Sequence, residues 1–180
     1  MKKSSILILI IICLVGCKKG SNETTITGEI KGLGTDTLYL YGMDELYDRI
    51  DTIYVENDKF SYTTSVDTIT SAYLLLKNRI EYPVFLDKGN KIKIKGDTIN
   101  LNFLTISGNI YNEEFTDFQK ALEDPADPSE KAGEETVDKR ITVEKANTAE
   151  EMAEEFILQH HSSYVSLYLL DKYFVQKLKS

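Results

Sequence analysis

The sequence predicts a mainly β fold, an antiparallel β-sandwich or open barrel of about eight short strands followed by two to three helices. Two observations carry the prediction. From Ile26 to Ser107, short runs of alternating apolar and polar residues are separated by Gly, Asn and Asp; after Ser107-Gly108-Asn109 the apolar spacing lengthens to the helical period.

Taken in order, Ile26, Gly28 and Ile30 alternate with Thr27 and Glu29, the pattern of a half-buried strand. Gly32-Leu33-Gly34 breaks the chain, and Asp36–Tyr41 alternates again. Asp48–Val55 and Lys59–Thr63 read as a hairpin closed near Asn57-Asp58, residue types that tolerate the positive φ of a tight turn. Thr70–Lys77 contains Tyr73-Leu74-Leu75-Leu76, apolar on both faces, and is expected to be a central strand. Tyr82–Leu86 follows, Lys88-Gly89-Asn90 is a turn, and Lys91–Lys95 alternates lysine with Ile92 and Ile94. Leu101–Ile106 is expected to supply the last strand.

Tyr111, Phe115, Phe118 and Leu122 then share one helix face, with Glu113 and Glu114 in the first turn, where the helix dipole favours negative charge. The acidic stretch 123–147 includes Pro125 and Pro128, lacks an apolar stripe and reads as a loop. Thr148-Ala149-Glu150-Glu151 matches a capping box before the apolar face Met152, Ala153, Phe156 and Ile157. A third helix starts after Ser162-Ser163. Leu167, Leu170, Phe174 and Leu178 make one face, widened by Tyr164, Val165, Tyr168, Leu169, Tyr173 and Val175, so cover on most sides is expected. The implied division is a leader over 1–16, a tether over 17–25, a β-domain over 26–107 and a helical tail over 108–180.

The leader carries its own chemistry. Lys2 and Lys3 precede the apolar run Ile6–Val15, which is shorter than the about 20 residues a membrane-crossing helix needs. The run ends in Leu14-Val15-Gly16-Cys17, which resembles a lipobox, so Cys17 is expected to become the lipidated N-terminus. Attachment would then be to a membrane through the lipid. Lys18 follows the cysteine where an inner-membrane retention signal would place aspartate, which favours the outer membrane. Glu23 is the one acidic residue of Lys18–Glu23, which favours the periplasmic face over the cell surface.

Composition narrows the function classes. Processing at Cys17 leaves 164 residues, and the formal net charge of −8 becomes −10 once Lys2 and Lys3 are lost. Nucleic acid is not the expected partner, because phosphates call for a basic face. The chain has two cysteines; Cys13 leaves with the leader and Cys17 is taken by lipid. The mature chain then has no free thiol for disulfide exchange, a CxxC site or metal ligation.

Several segments together resemble a known family. Ile26-Thr27-Gly28-Glu29-Ile30, Thr37–Tyr41, Asp51–Val55, Lys59–Tyr62, Tyr82–Leu86 and Lys91–Asp97 look like the small β-domain of unknown function at the N-terminus of many Bacteroidota lipoproteins. Phe156–Leu170 is similar to the helical linker that follows that domain. In the family a thioredoxin-like thiol-disulfide oxidoreductase domain comes next and carries the chemistry. No CxxC is present here, so no family catalytic residue can be carried over.

Residue types with chemical potential have plainer readings. His160-His161 are adjacent on a helix and diverge by about 100°, which suits a polar helix end better than a shared metal. The serines lack a GxSxG-type elbow. Glu130, Glu134, Glu135 and Asp138 lack EF-hand spacing and read as a solvated loop. Tyr39, Tyr41, Tyr54, Tyr62 and Tyr73 lie on strands; they form a glycan- or peptide-binding face or are simply strand residues with polar tips, and the plainer reading is favoured.

The sequence therefore points to a non-catalytic, lipid-anchored envelope binding or scaffold module, with no cofactor implied and an envelope protein partner expected on the apolar C-terminal helix. Two alternatives stand beside it: the truncated N-terminal part of a thioredoxin-like oxidoreductase, and a surface glycan-binding lipoprotein.

Overall fold

The computed structural model describes residues 22–123 and 149–176. Eight strands form one sheet nearly closed into a barrel, followed by three helices. The strands are β1 (Glu23–Lys31), β2 (Asp36–Gly42), β3 (Ile50–Glu56), β4 (Lys59–Ser65), β5 (Thr70–Leu75), β6 (Glu81–Leu86), β7 (Lys91–Asp97) and β8 (Thr105–Ser107). The spatial order is β6-β5-β2-β3-β4-β1-β7-β8. The helices are α1 (Ile110–Glu123), α2 (149–159) and α3 (Tyr164–Leu170), the last continuing as a wider π-helical turn over Asp171–Val175.

The expected antiparallel sheet is in fact mixed. β1 pairs antiparallel with β4 on one side and parallel with β7 on the other, with Ile26 opposite Ile92 and Ile30 opposite Gly96. The alternation predicted for each strand sets its inner face. Ile26, Ile30, Leu38, Leu40, Ile53, Val55, Leu74, Ile92, Ile94 and Ile106 are all essentially inaccessible and fill the barrel. Gly28 belongs to this inner row because any Cβ there would sit 2.1 Å from the Phe60 ring. The β3–β4 hairpin turns at Asn57 and Asp58, with φ of 51° and 69°, as the sequence predicts.

Four expectations need correction. β1 begins at Glu23, inside the stretch read as tether. β8 spans three residues only; Leu101 and Leu104 are buried, but from a loop whose turns Asp97–Asn100 and Asn100–Phe103 drop them over the barrel end. β5 is second from the sheet edge, and its outer residues Tyr73 and Leu75 are only half-buried, so its apolar run marks partial helix cover rather than a central position. In α3 the buried residues are Val165, Ser166 and Leu169, whereas Leu167 and Leu170 stay exposed. The 123–147 loop, apart from Glu123 at the end of α1, lies outside the described residues.

The barrel closes through α1 rather than through a ninth strand. β6 and β8 are the free edges. Asn112 accepts from the Phe85 N–H of β6 (3.0 Å) and donates to the Phe85 carbonyl (2.8 Å). One turn later, Thr116 accepts from the Ile106 N–H of β8 and donates to its carbonyl, both at 2.9 Å. Pro83, which lacks an N–H, lies two residues before Phe85 on the same free edge of β6, where proline costs no ladder bond. On the outside of β6, Phe85 is covered by Tyr111, Phe115 and Tyr168 at ring separations of 6.3–6.4 Å. α2 joins this cluster through Phe156 on Phe118, at 5.7 Å.

Candidate functional site

The outer faces of β3, β2 and β5 bring four of the five strand tyrosines together. Strand register places Thr37 opposite Tyr54, Tyr39 opposite Thr52 and Leu75, and Tyr41 opposite Ile50 and Tyr73. All of these alternate with buried inner residues, so they share one surface. Tyr54 and Ile50 are each 73% exposed and Tyr39 is 41% exposed. Tyr41 and Tyr73 touch, with ring centroids 5.8 Å apart, and Tyr41 donates to Glu81 at 2.5 Å. Burial, then the Glu81 carboxylate, raises the pKa of both phenols, so they stay neutral donors.

Tyr62 does not belong to this surface. Its strand alternates Phe60, Tyr62 and Thr64 inward, and it takes part in a polar cluster at one mouth of the barrel. There Tyr47 and Arg49 both donate to the Asp51 carboxylate, Arg49 at 3.1 Å, and Tyr62 hydrogen-bonds the same group. Arg49 also reaches Thr64 and the Ser65 carbonyl, and stacks 4.7 Å over the Tyr47 ring. Every member has a partner, which suits a cluster that orders the loop between β2 and β3.

Two concavities flank the helices. An open groove of about 580 Å³ crosses the outer ends of β1 and β7, with Glu29, Lys31, Lys95 and Asp97 presenting charges of both signs. A tighter cleft of about 240 Å³ lies between β6, α1 and α3, with Phe103, Phe115, Leu122 and Pro83 as apolar wall and Tyr168 and Lys172 on the α3 side.

The other candidates take structural roles. His160 stacks on Phe156, with centroids 4.3 Å apart, and its ring Nδ1 lies 3.2 Å from the Phe156 carbonyl at the end of α2. Ser163 caps α3 by accepting from the Val165 N–H and donates to Glu114, while Ser166 donates to the His160 carbonyl. Neither hydroxyl is bonded to an imidazole. Among the described residues no group of three or more His, Cys, Asp or Glu is placed to hold a metal, and no helix is long and apolar enough to cross a membrane. Leu14, Val15, Gly16 and Cys17, like Glu130, Glu134, Glu135 and Asp138, lie outside the described residues.

Residues 24–115 match the model of a family described as a domain of unknown function (DUF4369). The chain belongs to that family. No curated protein and no solved structure matches it. The DUF4369 region contains nearly the whole sheet and the entire tyrosine face. It ends within α1, after Asn112 and before Thr116, so one of the two residues that close the barrel falls outside it. The 240 Å³ cleft is likewise composite: β6 and Phe103 belong to the DUF4369 region, and Tyr168 and Lys172 to the helices beyond it.

Sequence reasoning missed Asn112, Thr116 and Lys172. The signal for the first two is present: polar residues at i and i+4 beside Phe115 on an otherwise apolar helix face.

Proposed function

We propose that the protein is a non-catalytic, lipid-anchored cell-envelope module that binds or scaffolds a protein partner through the outer tyrosine face of β2, β3 and β5. The observation that supports this is the exposure of Tyr54, Tyr39 and Ile50 beside Tyr41, Tyr73 and Leu75 on one continuous sheet surface. Tyrosine brings a large rigid apolar area with a polar tip at low entropic cost, the composition that interface centres favour. The lipobox-like Leu14–Cys17 would anchor the domain to the outer membrane on its periplasmic side, on a tether of a few residues.

Photo-crosslinking residues incorporated in cells at Tyr39 and Tyr54 test the face, with Lys93 on β7 as the comparison site. A discrete adduct from the tyrosine positions that fades with Tyr41→Ser is expected; equal yields from both sides of the barrel would sink the reading. Acyl-chain labelling should be lost in Cys17→Ala. A soluble form lacking Cys17 that reduced insulin would remove the non-catalytic part. Saturable polysaccharide binding abolished by Tyr39→Ser would make the face a glycan site instead.

Leu167 and Leu170, exposed on α3, favour a second reading. The resemblance to thioredoxin-associated domains implies a following redox domain, and these leucines are a surface on which it would pack. The nucleotide sequence after the codon for Ser180 tests this: without a frame encoding CxxC, the reading falls.

A further inference from the structure

We infer that the cleft between β6, α1 and α3 binds a carboxylate carried on a single apolar ring or short apolar chain, its body against Phe103, Phe115 and Leu122 and its charge at Lys172. The inference rests on the cleft alone and not on the tyrosine face.

Size sets the body of the ligand. At about 240 Å³ the cleft falls below the range of about 300–1,000 Å³ typical of drug-sized ligands, which leaves room for one ring or a short chain. Its wall of Phe103, Phe115, Leu122 and Pro83 offers dispersion contacts and no hydrogen bonds.

The charge follows from what the lining groups already do. The Tyr82 hydroxyl accepts from the Leu104 N–H at 3.1 Å and shares its one proton between the Leu104 carbonyl, at 2.7 Å, and the Gln119 side-chain oxygen, and Gln119 donates to the Asn102 carbonyl at 3.2 Å. Glu81 accepts from Tyr41. Lys172 is different. Among the described residues no carboxylate lies within ion-pair distance of its ammonium. It sits 5.6 Å from the Tyr168 ring centre and 5.5 Å from that of Tyr173. Although the residue as a whole is exposed, desolvation against those rings holds its pKa below the usual lysine value.

An ammonium without a counter-charge beside an apolar wall offers an incoming carboxylate a charge-assisted hydrogen bond. The Tyr168 hydroxyl, also without a partner among the described residues, is on the same side of the cleft. One cation suits one negative charge; Glu81 at the rim opposes a dianion such as a phosphate monoester.

Isothermal titration of the purified full-length protein in detergent tests this with phenylacetate, its neutral isostere phenylacetamide, and phenyl phosphate. Saturable binding of phenylacetate is expected, with phenylacetamide and phenyl phosphate each weaker by about tenfold or more, the scale of a lost charge-assisted bond. Lys172→Met should weaken phenylacetate by a similar factor, Lys172→Arg should retain most of the affinity, and Lys59→Met on β4, on the far side of the barrel, should change nothing. Equal binding of phenylacetamide, unchanged affinity in Lys172→Met, or no saturable binding by any probe would overturn the inference. If Lys172→Met fails to fold, the comparison of phenylacetate with phenylacetamide on the unaltered protein decides. The tripeptide Gly-Gly-Phe, with free and amidated C-terminus, separates the two sources of such a group. Tighter binding of the free-terminus peptide than of phenylacetate assigns a polypeptide end, and the reverse order a free acid.

Discussion

Asn112 and Thr116, one helical turn apart on α1, each bond the backbone of a different free edge of the sheet, Asn112 to Phe85 of β6 and Thr116 to Ile106 of β8. Each side chain supplies the donor and the acceptor that a neighbouring strand would otherwise provide. All four backbone groups lie in buried surroundings, so loss of the side chain leaves them unsatisfied.

Thr116→Val keeps shape and removes both bonds, and should cost about 1–3 kcal/mol, the penalty for buried groups left unpaired. Asn112→Ala should cost at least as much, since a small cavity is added. Urea denaturation measures both. Losses within about 0.5 kcal/mol, the range of ordinary surface substitutions, would mean that water rather than α1 satisfies these edges.

Gly28 faces the barrel interior, where Phe60 occupies the space of the missing side chain. Gly28→Ala should destabilise by about 1–3 kcal/mol through overpacking, and Phe60→Leu in the same chain should recover part of that loss. Thermal melts of the two single variants and the double variant give the coupling. Strict additivity would show that the ring moves aside freely.

The strand pattern was legible because each β-strand buries one face, and Ile26–Ile30, Leu38–Leu40 and Ile92–Ile94 advertise that face residue by residue. The parallel pairing of β1 with β7 was not legible, since alternation looks the same whichever way the neighbour runs. Barrel closure was missed for a related reason. Asn112 and Thr116 look like polar interruptions in a helix until two strand edges are known to end beside them. The tyrosines were legible as a set, but Tyr62 was misplaced with the others; its parity within β4 puts it inside, next to Asp51. The cleft joins residues far apart in the chain, with Phe103 and Lys172 meeting only through α3, and local spacing carries no trace of that.

The Asp51 cluster makes stability depend on pH at both ends. Burial works to raise the Asp51 pKa, but hydrogen bonds from Tyr47, Tyr62 and Arg49 and the Arg49 charge outweigh it and hold the group below its ordinary 3.8. A depressed carboxylate pKa contributes stability above the unfolded value, and that contribution is lost as pH falls below about 4 through the folded value. Tyr47 is pushed up to about 12, by burial first and then by its bond to Asp51. Its contribution is complete below the unfolded pKa near 10 and is lost as pH rises toward about 12. Denaturation midpoints measured across this range should fall at both ends, and Asp51→Asn should flatten the acid limb. An acid limb unchanged by Asp51→Asn would assign the loss to other carboxylates.

Ser163 ties α3 to α1 as well as capping it. Its oxygen accepts from the Val165 N–H at 3.1 Å and its hydroxyl donates to Glu114 at 2.5 Å. Ser163→Ala should therefore cost about 1 kcal/mol for the cap, with a further contribution from the lost bond to the Glu114 carboxylate. Ser163→Gly, which tolerates the capping backbone, should recover part of the first term and none of the second. Amide exchange locates the effect: protection should fall over residues 164–170 first, while β1, β4 and β7 keep theirs, because helix fraying is a local opening and the sheet core opens only globally. Loss of protection spread evenly through the sheet would show instead that α3 is part of the cooperative unit formed by the barrel and α1.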